Sequence, residues 1–296
     1  MNVRWSILAL LLAVAGPVAV PAGAETRSER GRYLVEGIGA CGNCHTPKSP
    51  SGDLQDKRFA GGFGLEEVFG AWVSSNITPD KETGIGRWTD AQIVRAIREG
   101  KHRDGRTLGP PMPFELYRRL SDRDVRAMVA YLRTLPPVQN AVPQSRYTIA
   151  LPASYGPAVK SVPEPSRKDR VKYGEYLAGP VAHCVGCHTP LTPDGRADET
   201  RPWAGGVSFV GPWGTVYSAN LTSDPETGIG KWTDDELARA IVHGLKRGGG
   251  MLSPPMPWPY YAGRVTDADV RAIIAYLRTL RPIVNQVPAL QPPASR

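Results

Sequence analysis

The sequence predicts an all-α protein that contains two tandem copies of one helical domain, joined by a proline-rich linker. The first observation is a duplication, in which ITPDKETGIGRWTD at 77–90 returns as LTSDPETGIGKWTD at 221–234. The second is that each copy shows helical periodicity between explicit start and stop signals. The third is that no segment has the long apolar-polar alternation of a half-buried strand. We therefore expect helices connected by long loops.

The first residues are typical of an export signal. Arg4 precedes an apolar run, and small residues end at Ala24, which predicts a signal peptide over 1–24 that is cleaved after Ala24. The alternative is a membrane anchor, but the apolar run is short for a span. We expect a periplasmic protein that associates with a membrane only through its partners. The remaining boundaries are predicted at 25–143 for the first domain, 144–170 for the linker and 171–296 for the second domain.

Each copy begins with a short helix that leads into a cysteine motif. In the first copy this helix carries Gly31, Tyr33 and Leu34, and we expect it to pack across the last helix of the same domain. A loop region follows, FGLEEVFGAWVSSN in the first copy and FVGPWGTVYSAN in the second, with room for a short hairpin.

The two later helices of each copy have recognisable boundaries. Thr89 with Gln92 forms a predicted capping box, repeated by Thr233 with Glu236. Glycines that can end the helix follow, and Ser121 and Thr266 are expected to begin the last helix of each copy.

Two short stretches carry the chemistry, ACGNCHTP at 40–47 and HCVGCHTP at 183–190. A disulfide framework suits an exported protein, but it leaves the histidine after each cysteine pair unexplained. A zinc site would need further ligands, and the remaining histidines do not repeat between the copies. Cys-x-x-Cys-His is the attachment signature of c-type haem, in which two thiols bind the porphyrin and the histidine binds its iron. Two such motifs at equivalent points of a duplication favour haem.

Each motif therefore supplies three candidate haem-binding residues: Cys41, Cys44 and His45 in the first copy, and Cys184, Cys187 and His188 in the second. The second ligand should repeat as well, and Met112 in GPPMPF matches Met256 in SPPMPW. The flanking prolines fix the backbone around each thioether. His45, Met112, His188 and Met256 are thus the predicted iron ligands, whereas Met128 suits an apolar helix face. No catalytic residue is predicted.

The composition is consistent with a cofactor that contributes to the core. The chain has 32 glycines and 29 prolines, so few residues remain for an apolar interior. Two covalently bound haem c groups would supply that missing volume. The formal net charge of +8 is diffuse rather than gathered in a long basic block, and we do not expect nucleic acid as a partner of an exported chain.

The motifs CGNCHTP and CVGCHTP, the TGIG-x-WTD blocks, PPMPF, PPMPW and the repeated AYLRTL resemble the c-type cytochrome subunits of bacterial membrane-associated dehydrogenases for alcohols, aldehydes or gluconate. This resemblance implies a class I cytochrome c domain in each copy. It also implies that a dehydrogenase subunit donates electrons, and that a quinone, an oxidase or another cytochrome accepts them. Many members of that family carry three haem modules and a C-terminal anchor, whereas this sequence shows two modules.

The predicted function is single-electron transfer by a dihaem cytochrome c, from a partner dehydrogenase towards the respiratory chain. The alternative is a dihaem enzyme of the peroxidase or thiosulfate dehydrogenase type. A peroxidase would need an open axial position, yet both copies have a methionine in nearly the same context. A thiosulfate-oxidising dihaem enzyme often uses a cysteine ligand, and all four cysteines are assigned to attachment.

Overall fold

The computed structural model describes residues 25–67, 69–193 and 195–293. The predicted signal peptide and the apolar run after Arg4 lie outside the described residues. Ten α-helices occur within these ranges: α1 Arg27–Arg32, α2 Cys41–His45, α3 Asp90–Glu99, α4 Phe114–Tyr117, α5 Asp122–Leu132, α6 Arg170–Tyr176, α7 Cys184–His188, α8 Asp234–His243, α9 Trp258–Tyr261 and α10 Asp267–Leu277. Wider π-helical turns, Tyr33–Ile38 and Leu177–Val181, continue α1 and α6.

The prediction of an all-α fold is wrong. The protein is about 33% helical and 11% strand, with three small sheets in the described residues. Seven strands occur in the part of the chain that the structure describes: β1 Lys48–Ser49, β2 Gly52–Asp53, β3 Gly64–Glu67, β4 Gly70–Val73, β5 Arg146–Tyr147, β6 Ser208–Gly211 and β7 Gly214–Tyr217. Each has two to four residues, which is too short for an alternating pattern to be recognised in sequence.

The sheets are antiparallel hairpins in the loop regions. β3 pairs with β4, and β6 pairs with β7. Both hairpins lie in the loop regions in which the sequence analysis allowed for a short hairpin. β4 also pairs with β5, which belongs to the segment between the two copies. Gly70 begins β4 with a φ of 118°, a conformation that side chains rarely adopt, so the tight turn before it requires glycine.

The predicted helix boundaries are confirmed. The Thr89 hydroxyl accepts from the backbone of Gln92, and the Gln92 side chain accepts from the backbone of Thr89. Thr233 and Glu236 form the same reciprocal box at the start of α8. These contacts satisfy amide groups that have no partner inside the helix. Among the described residues, none of the helices is long and apolar enough to cross a membrane.

Each copy is built around a close crossing of its first and last helices. α1 packs on α5, and α6 packs on α10. A Cβ on Gly31 would lie 2.0 Å from the Ala127 carbonyl oxygen, and one on Gly174 would lie 1.9 Å from that of Ala272. Only glycine permits backbones to approach so closely, because any side chain would overlap the facing carbonyl. The buried apolar residues of both copies, including Leu34 and Leu177, continue from these crossings into one core.

Replacement of Gly31 with alanine is expected to destabilise the protein by about 1–3 kcal/mol, because overpacking forces the backbones apart. Chemical denaturation measures this free energy of unfolding. Gly174→Ala should have a similar effect in the second copy. Gly179→Ala is the matched control, since apart from its chain neighbours and its own helical turn no atom lies within 4 Å of its Cβ position. Equal stability of G31A and G179A would contradict the close-crossing argument.

Candidate haem sites

The cysteine-histidine motifs form two equivalent short helices, α2 and α7. The residue before each helix, Ala40 or His183, has a φ of 46° and turns the chain sharply into it. All four cysteines are free thiols. Burial, and secondarily the neighbouring Cys44, raises the pKa of Cys41 to about 12. Burial likewise raises the pKa of Cys184 to about 12, because loss of hydration disfavours a thiolate at both motifs.

The histidine of each motif is held in one tautomer. His45 Nδ1 lies 2.8 Å from the carbonyl oxygen of Ser75, and His188 Nδ1 lies 2.7 Å from that of Ala219. A carbonyl oxygen only accepts hydrogen bonds, so Nδ1 carries the proton and Nε2 keeps its lone pair for a metal. Burial lowers the pKa of both rings, which favours the neutral form that binds iron.

Met112 and Met256 lie in the loops immediately before α4 and α9. Both are partly buried, and Met112 packs against the apolar core. The Met112 side chain is thus placed against apolar residues, and the role of both methionines as iron ligands stays a prediction. Met128 is buried on α5, and Met251 is 46% exposed.

Two observations test whether these residues suit a c-type haem. The donor set is right: each copy offers two free thiols and a neutral imidazole with Nε2 available on one short helix. No disulfide joins the cysteines, and the described residues include no group of three or more His, Cys, Asp or Glu placed to hold a metal ion. The residues therefore fit covalent attachment of haem.

Buried tyrosines lie beside the cysteine pairs, which the sequence did not predict. The pKa of Tyr117 is raised by burial and then by Cys41 and Cys44, and the Tyr117 ring lies 6.0 Å, centroid to centroid, from that of His183, which precedes the second motif. The pKa of Tyr261 is likewise raised by burial and then by the second cysteine pair. Tyr117 and Tyr261 repeat between the copies, and this repetition was the signal that could have indicated them.

The two copies meet through matched hydrogen bonds. Tyr33 donates to Asp269 Oδ2 across the interface at 2.6 Å, and its counterpart Tyr176 donates to Asp124 Oδ2 at 2.8 Å. The sequence predicts only helix packing for these tyrosines. Equivalent residues making equivalent contacts in both directions indicate an approximate two-fold relation between the copies.

One copy adds a buried ion pair to this interface. Arg30 binds Asp124 through two hydrogen bonds of 2.8 and 2.9 Å, and both side chains are almost fully buried. The corresponding residue of the second copy is Tyr173, whose hydroxyl lies 3.4 Å from Arg30 Nη2. Asp124 therefore accepts from both copies, which fixes their relative orientation.

The same interface brings the two cysteine motifs together. Each motif helix is covered by a short helix of the other copy: Gly42 lies beside Tyr260 of α9, and Gly186 lies beside Leu116 of α4. The pKa of Cys187 is raised to about 11 by burial and then by Cys44 of the first copy. The two candidate haem sites thus share a boundary instead of lying at opposite ends of the molecule.

A sequence model of the cytochrome c family matches residues 28–136 and again residues 172–281. The chain is 30% identical over 307 residues to the cytochrome c subunit of the quinone-dependent alcohol dehydrogenase of Gluconacetobacter polyoxogenes, covering 96% of this chain and 62% of the relative. It is 33% identical over 277 residues to the fructose dehydrogenase cytochrome subunit of Gluconobacter japonicus, covering 88% and 54%. A diheme cytochrome c-type protein of Cereibacter sphaeroides is 28% identical over 286 residues, covering 91% and 89%.

The chain belongs to the cytochrome c family, with one domain of that family in each copy. Consistent with the two domains and with the diheme relative, it carries two covalently bound haem c groups. The predicted resemblance to dehydrogenase cytochrome subunits is confirmed. The chain spans less than two thirds of the length of the alcohol and fructose dehydrogenase subunits it matches.

Proposed function

We propose that this protein is a periplasmic electron carrier that accepts electrons from a membrane-associated dehydrogenase and passes them towards the respiratory chain. When bound, each haem iron takes up and releases one electron at a time. The observation that carries the proposal is the shared boundary of the two motifs, where Gly42 of α2 lies beside Tyr260 of the second copy and Gly186 of α7 lies beside Leu116 of the first. This arrangement supports transfer between the two modules within one chain.

At each site the cysteines and the histidine have different roles. Cys41 and Cys44, with Cys184 and Cys187, hold the porphyrins covalently, so the cofactors are retained through repeated oxidation and reduction. His45 and His188 would hold the iron through Nε2, because the carbonyls of Ser75 and Ala219 occupy Nδ1 and fix both rings.

Met112 and Met256 supply the second axial ligands in this proposal. Thioether ligation favours the ferrous state relative to a second imidazole and so raises the reduction potential. A site with both axial positions filled exchanges electrons without binding a substrate at iron, which favours a carrier over a peroxidase.

The partners are proposed from the relatives. Cytochrome subunits of alcohol, fructose and gluconate dehydrogenases are among them, so we propose a dehydrogenase of a small alcohol, sugar or sugar acid as the electron donor. The acceptor would be a quinone, an oxidase or another cytochrome. Export would place the carrier in the periplasm, and membrane association would occur through these partners.

The proposal is tested with the purified holoprotein as the only electron acceptor for dehydrogenases encoded in the same genome. We expect the visible bands of ferrous haem to appear only when the dehydrogenase and its substrate are both present. The holoprotein alone should neither reduce hydrogen peroxide nor oxidise thiosulfate. Turnover of either compound would support the alternative, a dihaem enzyme.

A further inference from the structure

The segment between the two modules lies along the first module as an extended strap, residues 145–164. It starts as β5, which pairs with β4, and Thr148 continues the pairing by donating to the Phe69 carbonyl. Further along, the Val159 amide donates to Glu99 at 2.8 Å, and the Val162 carbonyl accepts from Asp122 at 2.9 Å. The strap is thus fixed at both ends to the first module.

Between these ends, two tyrosines of the strap contact the loop that carries Met112. The Tyr147 hydroxyl donates to the Pro110 carbonyl at 2.9 Å, and the Tyr155 hydroxyl donates to the Leu108 carbonyl at 2.9 Å. The ring of Tyr155 also packs on Phe114, with centroids 4.9 Å apart. The strap therefore holds the loop on both sides of Met112.

The second module satisfies the same carbonyl in a different way. Leu252 is the counterpart of Leu108, and its carbonyl accepts from the indole Nε1 of Trp258 at 3.3 Å. Trp258 occupies the position of Phe114, which has no donor. In the second module the donor to the methionine loop is therefore Trp258 of the module itself, whereas in the first module it is Tyr155 of the strap.

The glycines that end α3 and α8 show the same difference between the modules, with Tyr155 in the first module in the place of Trp258 in the second. A Cβ at Gly244 would lie 2.6 Å from the Trp258 ring, and a Cβ at Gly100 would lie 2.8 Å from the Tyr155 ring. Both aromatic rings thus cover equivalent backbone, and each supplies one hydrogen bond to the equivalent loop carbonyl.

We propose that Tyr155, assisted by Tyr147, is a positioning residue for Met112, and that the strap is part of the axial-ligand apparatus of the first module. The proposal rests on the assignment of Met112 as an iron ligand. Each tyrosine holds a loop carbonyl in place and so limits the fraction of time that the thioether is displaced from iron.

Imidazole is the probe, because it binds ferric iron only when the methionine has left. Tyr155→Phe keeps the ring and removes the hydroxyl, so the Leu108 carbonyl loses its donor. Since imidazole affinity scales with the population of the open loop, it should rise for one haem by about three- to tenfold, the effect of one lost hydrogen bond. The titration is monitored by the loss of the charge-transfer absorption between methionine and ferric iron.

The two sites are distinguished by NMR of the ferrous holoprotein, in which each ligated methionine methyl group gives a separate ring-current-shifted signal. Met112→Ala assigns the signal of the first module. Two such signals in the unsubstituted protein establish the ligand assignment independently of the strap. A single signal that M112A leaves unchanged would overturn the assignment, and the proposal with it.

The second module provides the matched control. Trp258→Phe removes the donor to Leu252 and should raise the imidazole affinity of the other haem only. The double variant Y155A/F114W replaces the strap's ring over Gly100 with an indole, as in the second module, and should restore the original affinity. Tyr147→Phe provides a separate test of the strap if Y155F folds poorly. Unchanged affinity in both Y155F and Y147F, or a change at the second module's haem in Y155F, would overturn the proposal.

Discussion

Replacement of Cys41 and Cys44 together with serine is expected to reduce the covalently bound haem from two groups per chain to one. The thioether bonds to the porphyrin require both sulfur atoms, and a serine hydroxyl cannot replace them. The haem-to-protein ratio, measured by the pyridine haemochrome method on denatured protein, counts only attached haem. This makes the measurement independent of whether the altered module still folds.

The duplication supplies the matched control. Cys184→Ser with Cys187→Ser should also leave one haem per chain, now in the first module. Substitution of all four cysteines should leave none. A ratio of two after denaturation in either double variant would contradict the assignment of that motif to covalent attachment.

The location of the haem motifs was predictable, because the signal is covalent and repeated. Two thiols and a histidine at fixed spacing specify their chemistry without any knowledge of the fold. The capping boxes at Thr89 and Thr233 were predictable for a similar reason, since both partners lie within one helical turn. Local chemistry at short separation is what a single sequence records well.

The hairpins and the interface were not predictable in the same way. β3 and β4 have four residues each, and their pairing depends on a turn at Gly70 instead of on an alternating pattern. The bond between Tyr33 and Asp269 joins positions far apart in the chain, so neither residue indicates the other locally. Both residues recur in the other copy, but this repetition does not indicate that the tyrosine of one copy contacts the aspartate of the other.

The strap illustrates a further limit. Its composition predicts only a proline-rich linker packed along the surface, and does not indicate that Tyr147 and Tyr155 bind specific carbonyls of the first module. Only the comparison of Tyr155 with Trp258 reveals why a tyrosine lies in the strap: Phe114 lacks a hydrogen-bond donor where the second module has an indole. The difference between the copies is therefore more informative at this point than their similarity.

Replacement of Met112 with histidine is expected to lower the reduction potential of one haem by on the order of 0.1 V, a fraction of the ~0.8 V range over which axial ligands act. The thioether is a soft ligand that stabilises ferrous iron, whereas imidazole is a stronger donor that stabilises ferric iron. Redox potentiometry of the holoprotein should resolve one shifted and one nearly unchanged midpoint.

Met256→His should produce the corresponding shift at the other haem, which assigns the two potentials to the two modules. Met128→Leu is the control for a methionine outside the sites, because Met128 is buried in the core on α5 and should leave both potentials in place. If M112H moves neither midpoint, the second ligand of the first haem is another residue. In that case the hydrogen bond from Tyr155 would act on loop structure alone, so this measurement tests the ligand assignment on which the proposal for the strap rests.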